Sequence, residues 1–220
     1  FAGTLTQHGE ANPLLDHPYA VAVGPDGSVY VSNQTSATVL RFTGPDHANP
    51  GVPLTAWTQA GPGCVVPPRG IHEHGLETPR GLAFGPDGLL YVVDRAARLT
   101  AWNPTTGAFV RTVADHDDGL RKPIQIAFDP SGRLFLGDRG VPTVWVIDHA
   151  DAPLTHFIPE NAPRPSHPSA IAIHGEWVYL ADQSRNEVTR YARSDGRPED
   201  PPWTTDLPHR PEFLIRSTSP

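Results

Sequence analysis

The sequence has 220 residues, with 17 basic and 24 acidic side chains that leave a net charge of −7, and Lys122 is its one lysine. An acidic chain with scattered arginines is a poor match to a nucleic-acid backbone, and no apolar run approaches the roughly 20 residues of a membrane-spanning helix. The single cysteine, Cys64, excludes an internal disulfide and any paired-cysteine motif.

In chain order, Phe1–Leu5 reads as the outermost strand of a small sheet. Residues 17–42, HPYAVAVGPDGSVYVSNQTSATVLRF, then give a first full unit of β-runs separated by a Gly-Pro-Asp-Gly turn. Proline presets φ in such a turn and glycine accepts the left-handed position. Residues 43–78 depart from the pattern. Thr43–Gly51 reads as a turn, Leu54–Trp57 as a fourth strand, and the Pro- and Gly-dense AGPGCVVPPRGIHEHGLET as a long loop. Residues 79–113 are the clearest unit, with strands at Gly81–Phe84, Leu89–Val93, Leu99–Trp102 and Ala108–Val113. The unit returns as KPIQIAFDPSGRLFLGDRGVPTVWVI at 122–147 and HPSAIAIHGEWVYLADQSRNEVTRY at 167–191. Arg193–Pro202 reads as an exposed edge loop, and Pro211–Arg216 as a first strand.

The opening prolines, Pro18, Pro79, Pro123, Pro168 and Pro211, are spaced 61, 44, 45 and 43 residues apart, and Asn33, Asp94, Asp138 and Asp182 recur in phase with them. A period of about 40–50 residues with four strands per unit is the mark of propeller blades, because each small sheet buries its faces only against neighbours. Tyr30, Tyr91, Phe135 and Tyr179 recur at one strand position and read as blade-packing residues. The expected fold is an all-β propeller of four-stranded antiparallel blades, one domain over 1–220, with four full blades and partial strands at both termini.

The unit resembles the NHL repeat: PRGLAFGPDGLLYVVD and PYAVAVGPDGSVYVSN match its Pro-x-Gly-hydrophobic-Ala start, its turn and its Val-Tyr-Val-x-Asp strand end. The resemblance implies a ring of six blades, so one or two blades beyond Pro220 are expected; a five-bladed ring with one defective blade is the alternative. Starting at Phe1 without any methionine, the sequence reads as a processed product or part of a longer chain. NHL-type and gluconolactonase-like propellers include protein-binding, RNA-binding, lyase and hydrolase members, so the fold does not select the function.

In propellers of this type the loops entering strand one share a face with the loops joining strands two and three. His8, His17, His72, His74, His116, His167 and His209 fall in or beside the entering loops. His72 and His74 have the i, i+2 spacing that puts two imidazoles on one side of extended backbone. With His116, from the run Asp115–Asp118, they form the candidate set for a divalent metal, Zn²⁺ or Ca²⁺. Peptidyl-hydroxyglycine lyases of the resembled family place zinc-binding histidines just after the strand-one proline. Here those positions hold Tyr19, Arg80, Ile124, Ser169 and Glu212, so that role does not carry over. Tyr19, Arg80 and Glu212 are instead the candidate channel-mouth ligand residues. Arg95 and Arg139, with Arg98 and Arg185, add planar donors for carboxylates or phosphates.

No Gly-x-Ser-x-Gly elbow and no phosphate-cradling glycine motif occurs, and no catalytic residue is assigned. The expectation is a non-catalytic scaffold that binds another protein or a small polar ligand through the loop face, in a secreted or periplasmic setting, with the cytoplasm as the alternative. The competing readings are a metal-dependent lyase or lactone hydrolase working at that face, and a structural blade module of a larger assembly.

Overall fold

The computed structural model describes residues 14–149, 152–212 and 214. The expected strand at Phe1–Leu5, His8, and residues 213, 215 and 216 of the expected last strand lie outside them. The chain divides into two compact units, Phe1–Val113 and Ala114–Pro220.

The first unit carries two four-stranded antiparallel sheets. Strands β1 (Pro18–Val23), β2 (Val29–Asn33), β3 (Thr38–Phe42) and β4 (Cys64–Val66) follow one another across the first sheet. The second repeats this with β5 (Pro79–Phe84), β6 (Leu90–Asp94), β7 (Arg98–Trp102) and β8 (Phe109–Ala114). The expected fourth strand at Leu54–Trp57 is not one. Its place on β3 is taken by Cys64–Val66, inside the expected loop, with Val39 opposite Val66 and Leu40 opposite Cys64. The reason is burial: Cys64, Val65 and Val66 are fully inside, and a short apolar β-branched run gains most from that position. Residues 54–57 run alongside instead, with Leu54 N–H donating to Arg41 O and Trp57 N–H to Cys64 O. The Cys64 thiol, pushed up to about 12 by burial, is a packed group rather than a reactive one.

Between these two sheets lies a core of Tyr30, Val39, Val65, Val66, Leu76, Leu82, Leu90, Val92 and Trp102. Tyr30 meets Phe84 of the neighbouring sheet edge-to-face at 5.0 Å, the arrangement favoured by ring quadrupoles.

The second unit repeats the scheme. Strands β9 (Pro123–Phe128), β10 (Leu134–Asp138), β11 (Thr143–Ile147) and the two-residue β12 (Thr155–His156) form one sheet. Strands β13 (Pro168–His174), β14 (Trp177–Asp182) and β15 (Glu187–Ala192) form a three-stranded one. Beside β15 the expected edge loop and the residues just after it supply a broken fourth member: Val188 bridges Thr204, Tyr191 bridges Pro198, and Arg190 pairs with Glu199. Proline at 198, 201 and 202 removes ladder donors, so bridges form here without a strand. Phe135, Val144, Val146, Phe157, Ile158, Ile171, Val178, Leu180 and Tyr191 pack between these two sheets, with Phe135 edge-to-face on Phe157 at 4.9 Å.

The recurring carboxylate ties each blade's entry to its middle. Asp138, fully buried, accepts the N–H groups of Arg121 and Lys122 on one side and of Gly140 and Val141 on the other. Asp94 accepts from Glu77, Thr78 and Ala96 and from the Arg98 guanidinium. Asp182 accepts from Ser166, His167, Ser184 and Arg185. Asn33 stands in the same place but donates its amide to Leu14 O. Each aspartate clamp satisfies backbone donors that would otherwise be stranded in the interior.

Candidate functional site

Each first strand slips register just after its proline, between Pro18 and Val21 in β1 and between Pro79 and Leu82 in β5. A bulge of this kind releases a residue from the ladder and re-aims its side chain. Tyr19 and Arg80 lie within these slips, with Ala20 and Gly81. Ser32 of β2 joins the two bulges: its hydroxyl accepts the Ala20 N–H at 3.0 Å and donates to Arg80 O at 2.7 Å. The Arg80 guanidinium lies 4.5 Å from the centre of the Tyr19 ring. Both side chains are half-buried. The structure therefore brings these two sequence candidates together, and Ser32, which sequence reasoning missed, is the residue that sets their spacing. Its only trace in the sequence is a small polar residue within an otherwise apolar β2.

Arg95 lies in the β6–β7 turn, just after the Asp94 clamp, and is exposed; its N–H donates to Thr78 O. Arg139 occupies the equivalent position in the second unit, half-buried, with its N–H on Lys122 O. In that unit the described residues 211 and 212 carry no strand. Ser169 Oγ lies 2.6 Å from Pro211 O, and Gln183 Nε2 donates to Glu212 Oε1 at 3.3 Å, with Glu212 exposed.

The histidines are placed differently from the sequence expectation. The 67–76 loop folds along the outward strands of the first unit, since Arg98 at the start of β7 donates to Gly75 O while His72 meets Trp102 at the strand's end. His72 sits edge-on between Trp57, at 5.2 Å, and Trp102, at 5.7 Å, and His74 stacks on Phe109 at 3.9 Å. His72 Nδ1 accepts the His74 N–H. Their rings are thus used in aromatic packing beside the outer strands. His116 is exposed on its own loop, 3.5 Å from Asp117. Among the described residues no three His, Cys, Asp or Glu side chains gather in a way that holds a metal ion, so His72, His74 and His116 are not such a set. The i, i+2 spacing assumed extended backbone; the turn at 69–75, closed by hydrogen bonds from Ile71 and Gly75, removes that premise.

The chain superposes with a TM-score of 0.63 on the catalytically inactive virginiamycin B lyase of Staphylococcus aureus, crystallised with quinupristin, at 14% identity, covering 93% of this chain and 61% of that one. Against a candidate gluconolactonase the values are 0.67 and 16%, with 91% and 68% covered. The extracellular domain of a hybrid two-component system of B. thetaiotaomicron gives 0.61 and 12%, with 83% and 23% covered. The architecture is that of a β-propeller. At these identities the likeness fixes the fold alone, and this chain spans 61% of the lyase's length. No family model and no curated protein matches the sequence.

Proposed function

We propose that residues 1–220 act as a non-catalytic, NHL-type propeller scaffold. It recognises a carboxylate, free or on a partner protein, at the strand-entry end where Tyr19 and Arg80 meet. The observation that carries this is the Arg80 guanidinium held over the Tyr19 ring at 4.5 Å. A guanidinium is planar by its own resonance, and holding it over an aromatic face limits the orientations of the fork that pairs a carboxylate with two parallel hydrogen bonds. The bulges and Ser32 hold the pair in place before any ligand arrives, which lowers the ordering cost of binding. Arg95, one turn over from the same blade's entry, adds positive charge to that end of the first unit. A secreted or periplasmic setting fits the extracellular neighbour, and no described helix is long and apolar enough to cross a membrane.

Calorimetric titration with succinate tests the reading, with Arg80→Ala and Tyr19→Ala as variants. The expected result is saturable binding weakened about tenfold or more by Arg80→Ala, the loss of a charge-assisted pair. Partner capture without succinate binding assigns the carboxylate to a protein. Equal behaviour of wild type and Arg80→Ala in both assays overturns the proposal.

A further inference from the structure

At the opposite end of the first sheet from Tyr19, the β1–β2 turn, Arg41 of β3 and the long connection after β3 line a concavity. Its volume is about 370 Å³, and Asp26, Ser28, Arg41, Thr43, Asp46 and His47 are its polar lining. That is within the usual range of small-molecule pockets, roughly 300–1,000 Å³. Sequence reasoning took Asp26 and Thr43–Gly51 only as turn formers.

The pocket is built and braced. Asp26 accepts the N–H and the hydroxyl of Ser28 and pairs with Arg41 at 2.6 Å. Arg41 is only 13% exposed, and its Nε is buried and makes no hydrogen bond. Thr43 Oγ1 donates to Asn49 O and accepts the Val52 N–H, which pins the connection. Gly44 packs so tightly that a Cβ there would lie 1.8 Å from Gly27 O, so the wall depends on its having none. His47 Nδ1 accepts the Asn49 N–H at 3.2 Å, which leaves the proton of the neutral ring on Nε2.

The lining discriminates between ligand classes. Two carboxylates face the space and the one guanidinium is already neutralised by Asp26, which disfavours an anion. Leu54 is the single apolar side chain among the lining residues, which disfavours an apolar ligand. No three metal-ligating side chains converge, which disfavours a cation held by coordination. What is left is an alternation of donors, Arg41 and His47, with acceptors, Asp26 and Asp46. Hydroxyl groups, each donor and acceptor at once, complement that alternation. We infer that this pocket binds a neutral polyhydroxylated ligand of monosaccharide size, independently of the carboxylate site.

Titration of the whole protein with methyl α-D-glucopyranoside, followed by NMR at the His47 ring and the Gly44 and Asp46 amides, tests this. D-glucosamine and D-glucuronate serve as charged counterparts. The expected result is a saturable shift with the neutral glycoside, about tenfold weaker in Asp46→Ala and weakened also in His47→Ala. Both substituted residues are exposed, so the fold is retained. Arg80→Ala leaves the shift unchanged, which keeps this result separate from the carboxylate proposal. No shift with the glycoside, tighter binding of either charged sugar, or equal binding by Asp46→Ala overturns the inference.

Discussion

Removing the Asp138 carboxylate is the sharpest test of the clamp that defines each blade. Its Oδ1 accepts three backbone N–H groups, from Lys122 at 2.9 Å, Gly140 at 2.7 Å and Val141 at 3.2 Å, and Oδ2 accepts the Arg121 N–H at 2.8 Å. The residue is completely buried. A hydrogen bond to a charged group contributes about 1.5–3 kcal/mol, and stranding a buried donor costs about 1–3 kcal/mol. The four bonds share one acceptor and are not additive, and some water can enter the space. Asp138→Ala is therefore expected to cost about 3–5 kcal/mol, which for a chain of this size lowers the melting temperature by about 10 °C. Asp138→Asn keeps one oxygen but sets an amide N–H₂ against a backbone donor, so its cost is about 1.5–3 kcal/mol. Urea denaturation measures both, and hydrogen exchange at residues 121, 122, 140 and 141 reports the local release. A loss below about 1 kcal/mol for Asp138→Ala, with exchange at those amides unchanged, would refute the clamp argument.

Two further outcomes follow from the same physics. Burial raises the Asp182 pKa, but hydrogen bonds from the Ser166, His167 and Ser184 N–H groups and the Ser184 hydroxyl outweigh it, and the group ends below its ordinary 3.8. A folded-state pKa below the unfolded one gives stability that is complete above about pH 4 and is lost as pH falls through the folded value. Asp26 and Asp129 are lowered likewise; NMR titration placing Asp182 at or above 3.8 would contradict this. At Gly107, with φ of +67°, a Cβ would sit 2.4 Å from Val65 O and 2.5 Å from Trp57 Nε1, which itself donates to Gly107 O. Gly107→Ala is expected to cost more than the roughly 1–2 kcal/mol of the left-handed backbone alone. A shifted Trp57 emission would accompany that loss, and an unchanged spectrum with unchanged stability would sink the account.

The in-phase Pro and Asp positions carried the blade pattern because both act locally. Proline starts a strand by fixing φ, and an aspartate two residues from a turn N–H caps it wherever the chain puts it. Tyr30 and Phe135 were legible as packing residues for a similar reason, since a period-2 strand alternates its faces. Leu54–Trp57 and Cys64–Val66 were not separable in the same way. Both are short apolar runs, and the choice between them depends on which can be sealed against β3. His72 and His74 failed for the converse reason, because the premise of extended backbone is a statement about a loop that only its contacts decide.

The amino-acid order by itself determined the first three strands of each unit, the turns between them and the residues just after each proline. It did so because propensity, turn chemistry and hydrophobic period are properties of neighbours in the chain. Only the folded structure decided that Arg80 lies on Tyr19, that Ser32 spaces them, and that Asp26, Arg41 and His47 enclose a pocket. Arg80 is 61 positions from Tyr19, Ser32 is 13 and 48 positions from the two, and Asp26 is 15 and 21 positions from Arg41 and His47; contacts at such separations are set by sheet register and close packing, which no local pattern encodes.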